Sequence, residues 1–135
     1  MSALCLDTSG YSHFKRGEPE IVALLQRARS VCVPSIVIGE LRVGFRLGRK
    51  PEDNEQQLRE FLQQPVVEVL DVDEQAASLY ADIFVDLRKR GTPLPSNDIW
   101  IAALAMRKGA VVVTYDAHFE AIEAVGCRVL GRGDS

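Results

Sequence analysis

The chain has 135 residues, 47% of them apolar, with 16 Lys and Arg against 19 Asp and Glu and a formal net charge of −3. That length supports one domain with its own core, and the acidic balance excludes a generic DNA-coating protein while leaving room for a local basic groove. Charged residues interrupt every apolar run well before the roughly 20 residues that a membrane span needs.

The N-terminus has neither a basic region nor a long apolar stretch, so no secretion signal is expected. Ala3–Leu6 reads as a strand that ends at Asp7. Ser9 could cap the helix that follows, which would leave Asp7 without a capping duty. Ile21, Val22, Leu24, Leu25 and Ala28 fit one face of a helix, and Val31–Val33 reads as a second strand.

Ile36 to Phe45 then reads as a helix carrying Glu40. Its i−4, i−3 and i+3 neighbours are Ile36, Val37 and Val43, so the carboxylate points along an apolar stripe. A carboxylate in such a place needs a cation or strong donors. The ordinary alternative is an ion pair with Arg42 or Arg46 on the same helix. Arg46 to Asp53 carries loop signals, and Leu58, Phe61 and Leu62 mark another helix.

Val66–Leu70 is the third expected strand. Asp71 and Glu74 after it have capping-box spacing, so Asp71, Asp73 and Glu74 are left out of any site. Ala76, Ala77, Tyr80, Ile83, Phe84 and Leu87 form a longer amphipathic helix, and Arg90 to Asn97 reads as a loop. Ser96 has N-cap chemistry for the next helix, which places Asp98 in its first turn. That helix is apolar nearly all round to Met106 and is expected to be buried. Ala110–Thr114 is a fourth strand, followed by Tyr115 and Asp116, and Cys127–Leu130 is a fifth.

Strands alternating with helices imply an α/β fold with a mostly parallel sheet covered on both faces. In such sheets ligands bind beyond the carboxyl ends of the strands. Asp7, Glu40, Asp98 and Asp116 come from four segments that could converge there. Like charges about 4 Å apart repel by roughly 4 kcal/mol at an effective dielectric of about 20, so such a cluster protonates or holds a cation. Oxygen-only ligands suit Mg²⁺, with Mn²⁺ as the alternative, rather than zinc.

Several features are discounted. His13 and His118 lack the spacing of a metal pair. Cys5, Cys32 and Cys127 are an odd count without C-x-x-C spacing, so neither disulfides nor zinc is expected, and Cys5 and Cys32 read as core. Trp100 and Met106 read as core residues. The Arg88-Lys89-Arg90 run reads as a solvated helix end, and the Arg-Gly-Asp triplet in the tail is given no adhesive role.

The Asp7-Thr8-Ser9 start, Ile38-Gly39-Glu40-Leu41 with Gly44, Asn97-Asp98 with Ile101-Ala102-Ala103, and Val113-Thr114-Tyr115-Asp116 with Phe119 resemble the PIN-domain ribonucleases. Their order and the chain length resemble the VapC toxins of toxin–antitoxin pairs. The resemblance implies a three-layer α/β/α sandwich over residues 1–130; residues 131–135 read from their own composition as a flexible tail. The resemblance also implies a Mg²⁺-dependent, cytoplasmic endoribonuclease toxin. It carries an acidic quartet onto Asp7, Glu40, Asp98 and Asp116, with Asp7, Asp98 and Asp116 mainly as metal ligands. Thr114, and more weakly Asn97, have supporting polar roles. A VapB-like antitoxin and a homodimer are implied as partners, with RNA as substrate. Arg42 and Arg46, at i, i+4 spacing on the helix of Glu40 and adjoining the expected site, are read from the sequence itself as the phosphate contacts. Two departures stand out: Gly10, where the family more often has an apolar residue, is expected to loosen the first helix turn, and Tyr115 is expected to alter the pocket rim.

The rival readings are a metal-dependent phosphatase, a phospho-receiver domain, and a non-catalytic RNA- or protein-binding module of the same fold. The phosphatase reading wants Asp-x-Asp after the first strand, where this chain has Ser9 in the third position. The receiver reading lacks a Lys after Ala110–Thr114.

Overall fold

The computed structural model describes residues 3–132. Five strands form one sheet: β1 Ala3–Leu6, β2 Ser30–Pro34, β3 Val67–Leu70, β4 Val111–Thr114 and β5 Cys127–Val129. All neighbours are parallel and the order is β3-β2-β1-β4-β5. The helices are α1 Thr8–Lys15, α2 Pro19–Arg27, α3 Ser35–Leu47, α4 Pro51–Leu62, α5 Glu74–Lys89 and α6 Ser96–Lys108, with a 3₁₀ turn at Ala117–Ala121. Among the described residues no helix is long and apolar enough to cross a membrane.

The chain winds outward from β1 through β2 to β3, then returns to place β4 on the other side of β1. Right-handed crossovers therefore send the helices before and after that return to opposite faces, which makes the α/β/α sandwich. The central strands are buried on both faces: Cys5, Leu6, Val31, Cys32, Val33, Val112 and Val113 are at most 1% exposed. Continuous apolar runs are what a doubly covered parallel sheet requires. Cys5 and Cys32 face each other in the β1–β2 register as small core residues. Helix α6 is buried at Ile99 and from Ile101 to Ala105, as its all-round apolar sequence demands.

Several local expectations are corrected. The N-cap of α1 is Asp7, whose Oδ1 accepts from the Gly10 N–H at 2.7 Å, and not Ser9. Asp73, not Asp71, caps α5, with its carboxylate taking the Ala76 N–H. Pro95 occupies the N-cap of α6, and Ser96 is its first helical residue. Of the expected loop from Arg46 to Asp53, only Gly48–Lys50 lies between α3 and α4. Pro51 starts α4 because its fixed φ suits a first helical position. Trp100 is only half-buried and stacks on Tyr80, with ring centroids 4.0 Å apart. Arg90, expected to be solvated, pairs with Asp86 and donates to the Ala121 carbonyl. In the expected tail, Gly131 lies against the Tyr115 ring at a φ of 77°, and Arg132 pairs with Glu120. Gly133 to Ser135 lie outside the described residues.

Gly10 does not loosen α1; it lets the helix sit against β4. A Cβ there would stand 2.7 Å from the Val113 carbonyl oxygen and 3.2 Å from Asp7 Oδ1. The nearest obstacle is backbone in the central sheet, which cannot swing aside. Gly10→Ala is therefore expected to cost about 1–3 kcal/mol by overpacking. A urea denaturation midpoint equal to that of the parent would contradict this contact.

Candidate active site

Strand order brings the acids together. β1 and β4 are neighbours where the winding reverses, and the residues just past their carboxyl ends are Asp7 and Asp116. That reversal opens a crevice in a doubly wound sheet. Helix α6 contributes Asp98 from its first turn, and α3 contributes Glu40.

A hydrogen-bond network ties these segments to one another. Asp7 is 5% exposed and accepts from Gly10 N, from Ser9 Oγ at 2.9 Å and from Thr114 Oγ1 at 2.5 Å. Thr114 is fully buried, and the same oxygen accepts the Asp116 N–H at 2.9 Å. One hydroxyl thus sets both acids that follow the paired strands. Ser9 Oγ also accepts the Tyr115 N–H at 3.0 Å, stitching α1 to the end of β4.

Among the described residues, no arginine pairs with Glu40. Its Oε1 accepts from Thr8 Oγ1 at 2.6 Å and its Oε2 from Asn97 Nδ2 at 3.1 Å. Arg42 instead forms a bidentate pair with Glu55 on α4, at 3.1–3.2 Å. The apolar stripe expected along Glu40 is broken, since Val43 is 57% exposed; Val37 is buried and Ile36 half-buried.

Among the described residues, no Lys or Arg nitrogen lies within 4.0 Å of a carboxylate oxygen of Asp7, Glu40, Asp98 or Asp116. The electrostatic consequence falls on Asp98 and Asp7. Burial pushes the Asp98 carboxyl up to about 6, aided by the charges of Asp116, Glu40 and Asp7 and opposed by His118. Burial also raises Asp7, although the bonds from Thr114, Gly10 and Ser9 pull the other way. Acids held above their ordinary range with no Lys or Arg beside them fit a cation site. An oxygen-rich donor set of this kind fits a hard divalent ion.

His118, discounted on sequence, belongs to this constellation. Its Nδ1 lies 3.1 Å from Asp116 Oδ1 and 3.9 Å from Asp98 Oδ2. Thr8 and Ser9 were also missed. Their position beside Asp7 was a visible signal, but Glu40 lies 32 positions from Thr8, beyond the reach of any local pattern.

The two arginines expected to bind phosphate lie apart from the acids. Arg42 and Arg46 line a groove of about 650 Å³ between α3 and α4, with Phe45, Glu55 and Arg59. Arg42 is committed to Glu55, whereas Arg46 is exposed and has no carboxylate within 4.0 Å among the described residues.

The PIN domain family matches residues 4–125. Ribonuclease VapC5 of Mycobacterium tuberculosis is 30% identical over 118 residues, covering 87% of this chain and 86% of the relative. The tRNA(fMet)-specific endonuclease VapC of Salmonella typhimurium is 36% identical over 96 residues, 70% of this chain and 71% of that protein. Among solved structures, the DNA-bound VapBC complex from Salmonella typhimurium is similar at 31% identity and a TM-score of 0.84, covering 96% of this chain and 98% of that one.

Proposed function

The chain belongs to the PIN-domain family and, within it, to the VapC ribonucleases; from that premise we propose a divalent-metal-dependent endoribonuclease toxin whose centre is Asp7, Glu40, Asp98 and Asp116. The observation that supports the reading is the convergence of Asp7, Asp98 and Asp116, with Glu40 close enough to repel Asp98, at the β1–β4 switch, where no Lys or Arg nitrogen of the described residues lies within 4.0 Å of them. Asp7, Asp98 and Asp116 are the residues that would hold a Mg²⁺ or Mn²⁺ ion. When bound, such an ion supplies a Lewis acid that neutralises charge on the phosphodiester oxygens and lowers the pKa of water.

The remaining work belongs to the protein's own side chains. Thr114 orients Asp7 and Asp116 with one hydroxyl, and Thr8 and Asn97 hold Glu40. Each Glu40 oxygen keeps accepting capacity beyond those bonds, which suits it to orient a water or take its proton. Arg46, with Arg42 beside it, would position phosphates along the α3–α4 groove, a contact that fixes register and weakens with salt.

A VapB-like antitoxin, a second copy of the chain and a cytoplasmic setting complete the proposal. Val43 and Leu47, 57% and 84% exposed on α3, support a protein partner on that helix. The phosphatase and binding-module readings have no observation in their favour here.

The test is an RNA cleavage assay on metal-stripped protein, using a tRNA(fMet) transcript and an unrelated structured RNA. Cleavage is expected with Mg²⁺ or Mn²⁺, none with EDTA, and recovery when metal is returned. Undiminished cleavage by the stripped protein in EDTA would overturn the metal-dependent reading.

A further inference from the structure

The 3₁₀ turn after β4 carries a side chain that the acidic centre does not account for. Phe119 is fully buried and anchors this turn in the core. His118, beside it, leaves its ring 58% exposed, so the ring does little packing. What the ring meets is carboxylate: Asp116 Oδ1 at 3.1 Å and Asp98 Oδ2 at 3.9 Å from Nδ1. One ligand atom from each of Asp98, Asp116 and His118 falls within 4.8 Å of the others.

Those separations suit donors that share one ion. With bonds of about 2.1 Å in octahedral geometry, adjacent donors stand about 3.0 Å apart and opposite donors about 4.2 Å apart. The Asp116 pair has the adjacent spacing, and the Asp98 pair falls between the two. Asp116 Oδ1 also takes the backbone N–H of His118 at 2.9 Å, which fixes the carboxylate relative to the turn that bears the ring.

We infer that His118 is a nitrogen ligand of the same centre, sharing an ion with Asp98 and Asp116 and biasing it toward a first-row transition ion of the Mn²⁺ type over Mg²⁺. The inference rests on the metal-dependent reading above. Its chemistry is that carboxylate and water satisfy Mg²⁺, whereas imidazole suits the transition metals. A site with oxygen donors alone has no such handle on selectivity.

The experiment uses the full chain, stripped of metal and reloaded with Mn²⁺ alone. Pulsed EPR should detect ¹⁴N modulation from a directly bound nitrogen, and His118→Ala should abolish it. Calorimetric titration should show Mn²⁺ affinity falling about 10-fold or more in His118→Ala, with Mg²⁺ affinity changing less than about 3-fold. The parent melting temperature in EDTA should be retained, because the ring is exposed. Bound Mn²⁺ without nitrogen modulation, or equal Mn²⁺ affinity in parent and variant, would overturn the nitrogen ligand while leaving an oxygen-only centre standing. Failure of the parent chain to bind Mn²⁺ would overturn the centre as a whole.

Discussion

Asp98→Asn is expected to reduce RNA cleavage by about three orders of magnitude while making the metal-free protein more stable at pH 7. The loss of activity follows from removing one anionic oxygen donor from the centre proposed to hold the ion and neutralise phosphate charge. The gain in stability follows from the burial of the carboxylate, which penalises its charged form, with repulsion from Asp116, Glu40 and Asp7 adding to it. Its carboxyl sits at about 6 in the folded chain, above the unfolded value near 3.9. The native state therefore holds this proton more tightly than the unfolded state does. Stability falls as pH rises through the window from about 4 to about 6, and the penalty is fully present at neutral pH. A two-unit shift corresponds to nearly 3 kcal/mol. With the side chain 20% exposed, about 1–2 kcal/mol is the expected share after solvent screening, or roughly 4–8 °C in melting temperature. Thermal melts of parent and variant in EDTA should diverge at pH 7 and converge near pH 4. Cleavage retained within about 10-fold of the parent, or a variant melting lower at pH 7, would refute this assignment.

The second large effect is expected at Thr114. Valine matches its shape but cannot donate to Asp7 Oδ2 or accept the Asp116 N–H. A carboxylate that is 5% exposed then loses one of its donors, and a backbone N–H at the site loses its acceptor. Hydrogen bonds to charged groups contribute about 1.5–3 kcal/mol, and an orphaned buried group costs about 1–3 kcal/mol. Thr114→Val should therefore destabilise the fold by about 2–4 kcal/mol and lower cleavage by at least about 100-fold as both acids lose their orientation. The hydroxyl favours ionised Asp7, so its removal raises that carboxyl further. The destabilisation should accordingly shrink as pH falls and Asp7 becomes protonated. Thr114→Ser retains the hydroxyl and should recover most of the activity. If valine and serine behave alike in denaturant titrations and cleavage, the hydroxyl does not organise the site.

The amino-acid sequence alone determined the alternation of five short apolar runs with amphipathic or all-apolar helices, because those patterns are set by neighbours within one or two turns. It also placed Asp7 and Asp116 directly after strands, and in a parallel sheet that is enough to put them at the ligand-binding edge. Nothing in the composition of Ala3–Leu6 or of Val111–Thr114 says that these two strands pair with each other. Only the strand order makes them neighbours and carries Thr114 to Asp7 across 107 positions. The same holds for Glu40, whose donors Thr8 and Asn97 lie 32 and 57 residues away and replace the arginine that local spacing offered. Arg42 was drawn off by Glu55, on a helix whose start the loop signals around Pro51 concealed. His118 has no second histidine at metal-pair spacing in the sequence, whereas folding brings it to two carboxylates. Local patterns report on burial and backbone preference, which depend on adjacent residues. The pairing of polar side chains depends on which distant elements pack together, and that was decided by closure of the sheet around β1 and β4.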